Sequence, residues 1–371
     1  MRYYLIAGEA SGDLHGSNLI KEIRLLDPAA ELRCWGGDQM EAAGATVVKH
    51  YRDLAFMGFV EVLRNLRTIF RNIDFCKEDV EAFAPDVLIL IDYPGFNLRI
   101  AKWARKKGLK VVYYISPQVW AWKANRVKSM KRCIDKMICI LPFEKDYYKK
   151  QWNWEVEYVG HPLVEVVDRY LADHKGDAIP DLPVIALLPG SRQQEILKKL
   201  PVMLEVTRHF PGYRFVVAKA PGLEESFYNE LLAPYANVSW VVNRTYQLLS
   251  QSTAALVTSG TATLETALFG VPEVICYKGN SISYQIAKRL IKIRFIGLVN
   301  LIMDKEVVKE LIQDDLTVDK LKQELELLLT SPEKQDRVKQ DYADLKQLLS
   351  QGGNASANAA RSIMTFLRNG N

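Results

Sequence analysis

The sequence predicts an α/β protein of two domains, each a parallel β-sheet with helices on both faces. The chain has 371 residues, and at roughly 100–200 residues per domain that length favours two. Short apolar runs ending in Gly, Ser or Asp lead into longer amphipathic stretches. This alternation occurs twice along the chain, as strands connected by crossover helices require. A composition of 49% hydrophobic and 25% charged residues excludes a disordered or collagen-like chain.

In the first half, Tyr3 to Ala7, Val87 to Ile91, Val111 to Ile115 and Met137 to Ile140 read as strands. Between the first two, Phe59 to Phe75 has apolar residues at helical spacing, with Arg64, Arg67 and Arg71 in one stripe. That pattern is an amphipathic basic helix, either for a membrane surface or buried with an exposed Arg edge. Pro and Gly punctuate the polar stretch from Val159-Gly160-His161-Pro162 to Pro183, which separates domains at residues 1–165 and 166–349. In the second half, strands are expected at Val184 to Leu188, Arg214 to Ala218, Val238 to Val242, Ala254 to Thr258 and Val274 to Tyr277. Val274 to Met303 is basic, with Lys278, Lys288, Arg289, Lys292 and Arg294 and no acidic residue. Leu316 to Leu349 is helical in pattern, Gln351-Gly352-Gly353-Asn354 breaks it, and Ala355 to Leu367 reads as a last helix. These elements make two Rossmann-like domains, whose ligands sit at the carboxyl ends of the strands.

The net charge of +5 is unevenly placed. Residues 161 to 371 balance at 24 basic and 24 acidic side chains, whereas residues 99 to 150 carry 15 basic against 3 acidic. This stretch is either a solvated helical face or a surface for an anionic partner such as lipid headgroups, substrate phosphate or nucleic acid. No helix-turn-helix, zinc-finger, RRM or KH pattern is present, so no nucleic-acid partner is expected. The five Cys form no CxxC pair and suit a reducing compartment. Tyr3 to Gly8 lacks the features of a signal peptide. The longest uncharged stretch, Thr245 to Leu264, has ten Ser, Thr or Gln among its 20 residues and does not span a bilayer. A cytoplasmic protein, attached at most to a membrane surface, is expected.

Four strand ends carry chemistry-bearing residues. After the first strand comes Gly8-Glu9-Ala10-Ser11-Gly12-Asp13-Leu14-His15-Gly16. Its glycines let backbone approach a ligand, and Glu9, Asp13 and His15 add titratable groups, although a tight turn alone accounts for the glycines. Asp92, after Val87 to Ile91, is a general base or the cap of the following helix. Arg192 in Leu188-Pro189-Gly190-Ser191-Arg192 can hold a phosphate through two parallel hydrogen bonds, or pair with a surface acid. Ser259-Gly260-Thr261-Ala262-Thr263-Leu264-Glu265 can seat a diphosphate on helix N–H groups with Glu265 on a ribose; alternatively Thr261 caps the helix. The aromatics of Tyr113 to Trp122 suit sugar or acyl contacts, and equally a core. No Asp-x-Asp occurs among the 21 aspartates and no His pair has ligand spacing, so neither metal nor cofactor is expected.

Read in order, these motifs resemble the lipid-A-disaccharide synthases, a family of inverting glycosyltransferases. Further matches are Trp35-Gly36-Gly37 with Met40, Met57-Gly58, Ile91-Asp92 with Phe96-Asn97, Ser116-Pro117 with Trp120-Ala121-Trp122, Leu141-Pro142-Phe143-Glu144, Val159-Gly160-His161-Pro162, and Asn300 with Glu310 and Gln313. The resemblance implies a GT-B fold, two Rossmann-like domains facing across a cleft, with the C-terminal helix at about 350–371 returning to the first. It implies transfer of 2,3-diacylglucosamine from its UDP derivative to the 6-hydroxyl of 2,3-diacylglucosamine 1-phosphate, without a metal. Carried over, Arg192, Ser259, Gly260, Thr261 and Glu265 form the UDP site, Asn300 and Gln313 lie near the donor, and Glu9, Ser11 and Gly12 bind substrate. Asp92 is the expected base, with Asp13 or His15 as second choice, and Lys123 and Arg126 are candidates for the acceptor phosphate. The chain departs from some family members at Gly95, where they carry a second aspartate. The resemblance further implies a peripheral enzyme on the anionic inner face of the inner membrane, and homodimers. Two rival readings stay open from the residues: another GT-B UDP-sugar enzyme, such as an epimerase or lipid-linked glucosaminyltransferase, and a non-catalytic nucleotide-sugar or lipid-binding protein.

Overall fold

The computed structural model describes residues 1–54, 66–121, 123–174, 182–220, 222–279 and 294–369. Met57, Gly58, Arg64, Trp122, Lys288, Arg289 and Lys292 lie outside them. The chain divides into two compact units, Met1–Pro162 with Leu349–Asn371, and Leu163–Leu348.

The first unit is built on β1 (Arg2–Ala7), β2 (Glu31–Gly36), β3 (Thr46–His50), β4 (Val87–Ile91), β5 (Val111–Tyr114), β6 (Lys136–Cys139) and β7 (Glu157–Tyr158). All pairings are parallel, in the order β3-β2-β1-β4-β5-β6-β7. The second has β8 (Val184–Leu188), β9 (Arg214–Lys219), β10 (Val238–Val242), β11 (Ser252–Thr258), β12 (Glu273–Tyr277) and β13 (Lys309–Ile312), again parallel, in the order β10-β9-β8-β11-β12-β13. The central β4 and β8 are buried at every residue, as strands covered on both faces must be.

Four strands, β2, β3, β7 and β13, were not anticipated from the sequence. β3, β7 and β13 are sheet edges and carry charged residues such as Lys49, Glu157, Lys309 and Glu310. β2 contains Arg33, whose Nε donates to Asp79 Oδ2 at 2.9 Å. Asp79 also accepts from the hydroxyl of Tyr4 at 2.6 Å, so a charge that breaks the apolar pattern is tied into the sheet face. Ile115, expected at the end of a strand, lies just beyond β5 with a φ of 67°.

The helix Ala355–Asn369 packs on the helix Ala10–Leu26 and has Ala359, Ala360, Ile363 and Leu367 buried. Asn358 Nδ2 donates to Val159 O at 3.1 Å and Ser362 Oγ to Glu157 Oε2 at 2.6 Å, which fastens the two-residue β7. Gly352 is required there: a Cβ would stand 2.6 Å from Val159 O.

In each unit the strand order reverses once, between β1 and β4 and between β8 and β11. Connections leave such a point in opposite directions and open a crevice at the carboxyl ends of the two strands. Ala7 is in register with Ile91, and Leu188 with Val257. The loops beginning at Gly8, Asp92, Pro189 and Ser259 therefore flank the two crevices.

If the C-terminal helix is part of the first unit's core, Ile363→Ala should lower stability by about 2–5 kcal/mol. Chemical denaturation reads this as a drop in midpoint; an unchanged midpoint would remove the helix from the core.

Candidate active site

At the first crevice the turn after β4 is held in an uncommon conformation. Asp92 and Tyr93 both have positive φ, 44° and 48°, a region costing L-residues roughly 1–2 kcal/mol each. Asn97, fully buried, restrains the turn: its Nδ2 donates to Ile6 O at 3.3 Å, Ile91 O at 3.2 Å and Asp92 O at 2.8 Å. The Tyr113 hydroxyl also donates to Asp92 O, at 2.5 Å. Tyr93 folds back over Gly8, where a Cβ would lie 2.3 Å from its ring. Asp92 is not the helix cap; Tyr93 holds that position and no side chain caps the helix Pro94–Lys106.

With its main chain fixed, Asp92 presents a half-buried carboxyl at the crevice. Burial and then the negative charge of Glu9 push its pKa up to about 7, where a carboxyl is an effective base near neutral pH. Glu9 is the N-cap residue of the helix Ala10–Leu26, so the structure brings these two expected residues together. Ser11 is exposed beside them, and Gly12 is buried with its Cβ position 3.1 Å from Ala7 Cβ.

Asp13 has a different task from the second-choice base anticipated for it. It is buried, with Oδ1 accepting from Gly37 N at 2.7 Å and Met40 N at 3.1 Å, and Oδ2 from Gln39 N at 3.1 Å. A carboxylate so engaged anchors the turn after β2. His15 is buried, and burial lowers its pKa to about 4. Its Nδ1 has no partner among the described residues. His161 is also held neutral, at about 3, by burial and by His15 nearby.

Lys123 is exposed, and Arg126 is near enough for its charge to help lower the Lys123 pKa after burial. Arg126 lines a groove with Pro94 and Gly95, just past Asp92. The family motif around Glu144 proves to be a buried cluster at the ends of β5 and β6. Glu144 accepts from Trp120 Nε1 and Leu141 N, both at 3.1 Å, while Ser116 Oγ and Tyr148 OH lie 2.7 Å apart. Burial pushes Glu144 up to about 7.

At the second crevice, Gly190 (φ 109°) and Gly260 (φ 147°) occupy backbone regions that favour glycine. Gly260 is the N-cap of the helix Thr261–Leu268, so the Thr261 cap considered from sequence is not formed. Exposed Thr261 is instead the first helical residue, and no side chain satisfies the helix start. Ser259 Oγ donates to Ile296 O at 2.8 Å. One turn into the helix, Glu265 accepts from the Tyr246 hydroxyl at 2.8 Å, and burial raises its pKa. Exposed Arg192 precedes the helix Gln193–Thr207 and donates to Glu195 Oε1 at 2.8 Å.

Sequence reasoning missed Lys199. It reads as part of a polar helical face, yet its ammonium is buried beneath both loops and donates to Thr258 Oγ1 at 2.5 Å. It lies 3.8 Å from Glu195 Oε2 and 3.5 Å from the position of a Gly190 Cβ. Burial holds its pKa below the usual range.

Asn300 differs from a direct donor contact. Its Oδ1 accepts from Val307 N and Val308 N, and its Nδ2 donates to Val308 O and Glu310 Oε1, all at 2.8–3.0 Å. With its amide fully used, Asn300 braces Glu310, which accepts from Ile296 N and Gly297 N. Gln313 accepts from Gly279 N at 3.0 Å, and its buried Nε2 has no partner among the described residues. No group of three His, Cys, Asp or Glu among the described residues is placed to hold a metal ion.

Comparison with known proteins places this geometry in a family. Residues 3–364 match the family model described as lipid-A-disaccharide synthetase. The lipid-A-disaccharide synthase of Geobacter metallireducens is 39% identical over 361 residues, covering 95% of this chain and 94% of the relative. That of Coxiella burnetii is 38% identical over 371 residues, covering 98% of each. Among solved structures, UDP-GlcNAc 2-epimerase from Neisseria meningitidis, bound to UDP-GlcNAc, matches with a TM-score of 0.69 at 14% identity, covering 98% of this chain and 100% of that one. A glycosyltransferase of kitacinnamycin matches at 0.66 and 14%, covering 98% of each. These structural likenesses show the fold, two parallel-sheet domains of GT-B type. Because the family model and the sequence relatives extend over nearly the whole length, the chain belongs to the lipid-A-disaccharide synthase family.

Proposed function

We propose that the chain transfers a diacylglucosamine unit from its UDP derivative to the 6-hydroxyl of diacylglucosamine 1-phosphate, with inversion and release of UDP. Asp92 carries this reading: a restrained, half-buried carboxyl at a strand-order reversal, with its pKa pushed up to about 7 by burial and Glu9. As the acceptor oxygen attacks the anomeric carbon, Asp92 takes its proton and the bond to the UDP oxygen breaks. Negative charge then grows on the leaving diphosphate, where fixed dipoles and cations lower the barrier most.

The uncapped helix start at Gly260 and Thr261, the Ser259 loop and Arg192 supply those groups for the donor. Glu265 is suited to the ribose hydroxyls. In this reading Arg192 exchanges its Glu195 partner for phosphate, and Lys199 stays beneath to compensate the carboxylate left behind. Gln313 offers its unpartnered Nε2 as a further donor.

The surface of the first unit supports membrane attachment. The helix Leu66–Phe83 exposes Phe70 and Phe75 at 53% and 42%, beside exposed Arg67 and Arg71. Such a face suits an anionic bilayer, with about 1 kcal/mol per basic side chain near the surface. No helix among the described residues is long and apolar enough to cross a membrane.

Asp92→Asn should lower turnover about 10²–10⁴-fold with UDP affinity retained; near-normal turnover would remove Asp92 from the role. With Asp92 as base, kcat should rise as pH increases through about 7. The raised carboxyl contributes stability that is present below its unfolded pKa and lost as pH rises through about 7. Asn also tolerates the left-handed turn, so Asp92→Asn should melt higher than the parent above neutral pH.

Arg192→Ala should weaken UDP binding by about 1.5–3 kcal/mol, the loss of a charged hydrogen bond, and Glu265→Ala should weaken it as well. Unchanged calorimetric affinity in both would reject the donor site. Lys199→Met should weaken UDP binding about tenfold while leaving or raising the melting temperature, since a buried ammonium is costly to desolvate. Excess chelator should leave activity intact; loss restored by magnesium would contradict metal-independent transfer.

A further inference from the structure

Two grooves on the first unit share Arg99 and Lys102 of the helix Pro94–Lys106. One, of ≈ 210 Å³, begins at Pro94 and Gly95, has Leu98 in its wall, and carries Arg99, Lys102 and Arg126. None of the described residues that line it is acidic. The other, of ≈ 370 Å³, shares Arg99 and Lys102 and runs over Phe70, Ile73 and Trp103 toward Lys77 and Lys106. Its one acid, Asp74, accepts from Lys77 at 2.9 Å. Taken together, the adjoining grooves set apolar side chains beside a row of cations.

Its position ties it to the proposed chemistry. Gly95, which lines it, is three residues beyond Asp92, and nothing stands within 4 Å of where a Gly95 Cβ would be, so the groove is open at the end nearest that turn. Arg99 lies one turn farther, about 6 Å along the axis at 1.5 Å per residue, on the scale of one hexose. Arg99, Lys102 and Lys106 form one stripe at helical spacing, where like charges repel one another. Among the described residues neither Arg99 nor Lys102 forms an ion pair; the Arg99 guanidinium rests 5.8 Å from the Phe70 ring centroid. The fold thus holds adjacent cations over an apolar floor, the complement of a phosphorylated amphiphile.

We propose that this groove is the acceptor site: Arg99, Lys102 and Arg126 receive the phosphate of the acylated sugar, and an acyl chain lies along Phe70, Ile73 and Trp103. The assignment rests on Asp92 being the base for that acceptor, and it extends the site beyond the Lys123 and Arg126 pair suggested by the sequence. The sugar's 6-hydroxyl is then delivered to Asp92 while its phosphate is held one helical turn away.

The test is steady-state kinetics of the full chain in mixed detergent micelles, with the double substitution Arg99→Gln and Lys102→Gln. Both side chains are exposed, and melting curves confirm folding. The acceptor KM should rise at least tenfold, with donor KM and calorimetric UDP affinity within twofold of the parent. An acceptor analogue lacking the phosphate should be a poor substrate whose KM the substitutions leave unchanged. Phe70→Ser should penalise long-chain acceptors more than short-chain ones. Equal KM increases for phosphorylated and unphosphorylated acceptors would overturn the proposal, as would an unchanged acceptor KM. Loss of binding to phosphatidylglycerol vesicles with normal micellar KM would reassign the groove to bilayer headgroups and overturn it too. Failure of the Asp92 reading looks different: Asp92→Asn would then turn over normally while the Arg99 and Lys102 substitutions still raise the acceptor KM.

Discussion

Reversal of strand order within an all-parallel sheet is the constraint on which both units depend. Because β1 pairs with both β2 and β4, its outgoing loop and that of β4 must leave side by side, with Ala7 opposite Ile91. Gly8 yields its Cβ to the Tyr93 ring, Asp92 and Tyr93 adopt left-handed conformations, and Asn97 ties the ends of β1 and β4 together. The exposed outcome is one carboxyl, Asp92, which the crowding keeps partly dry. The second unit meets the same constraint differently. Leu188 opposite Val257 brings Gly190 against Thr258, and Lys199 fills the space beneath with a buried charge.

Sequence made most central strands and the edge strand β10 plain and left the other three edges obscure, for a physical reason. β4 and β8 are covered on both faces and so are written as unbroken apolar runs. β3, β7 and β13 each have one free edge and carry charged residues that dilute the pattern, while β2 hides behind the Arg33–Asp79 pair. Much of the candidate site was legible because its residues sit where apolar runs stop, and those stops are visible in one dimension. What separates Asp92 from Asp13 is not visible there. Asp13 is filled by backbone N–H groups of Gly37, Gln39 and Met40, 24 to 27 residues away, and no local spacing encodes that. Lys199 was missed for the same reason, since its partner Thr258 is 59 residues distant.

Left-handed backbone is frequent at the same edge as the candidate chemistry. Of the nine described non-glycine residues with positive φ, five follow the ends of strands: Asp92 and Tyr93 after β4, Ile115 after β5, Asn243 after β10 and Gln313 after β13. A β-branched residue such as Ile115 is rarely found there. Gln313 Nε2, just beyond β13, is also buried without a partner among the described residues. Strain of this kind persists only where surrounding packing over-determines it.

The parallel strands therefore divide labour along their length. Their middles, buried and fully paired, contribute the stability that their carboxyl ends give up. Asp92 shows the exchange in one group: the burial that raises its pKa makes its carboxylate costly in the folded state above about pH 7, and the same burial makes it a competent base there. A sequence selected for stability alone would place Asn at that turn, keeping the left-handed backbone without the buried charge. Retention of the acid fits the proposed role, in which the proton it accepts matters more than the stability it forfeits.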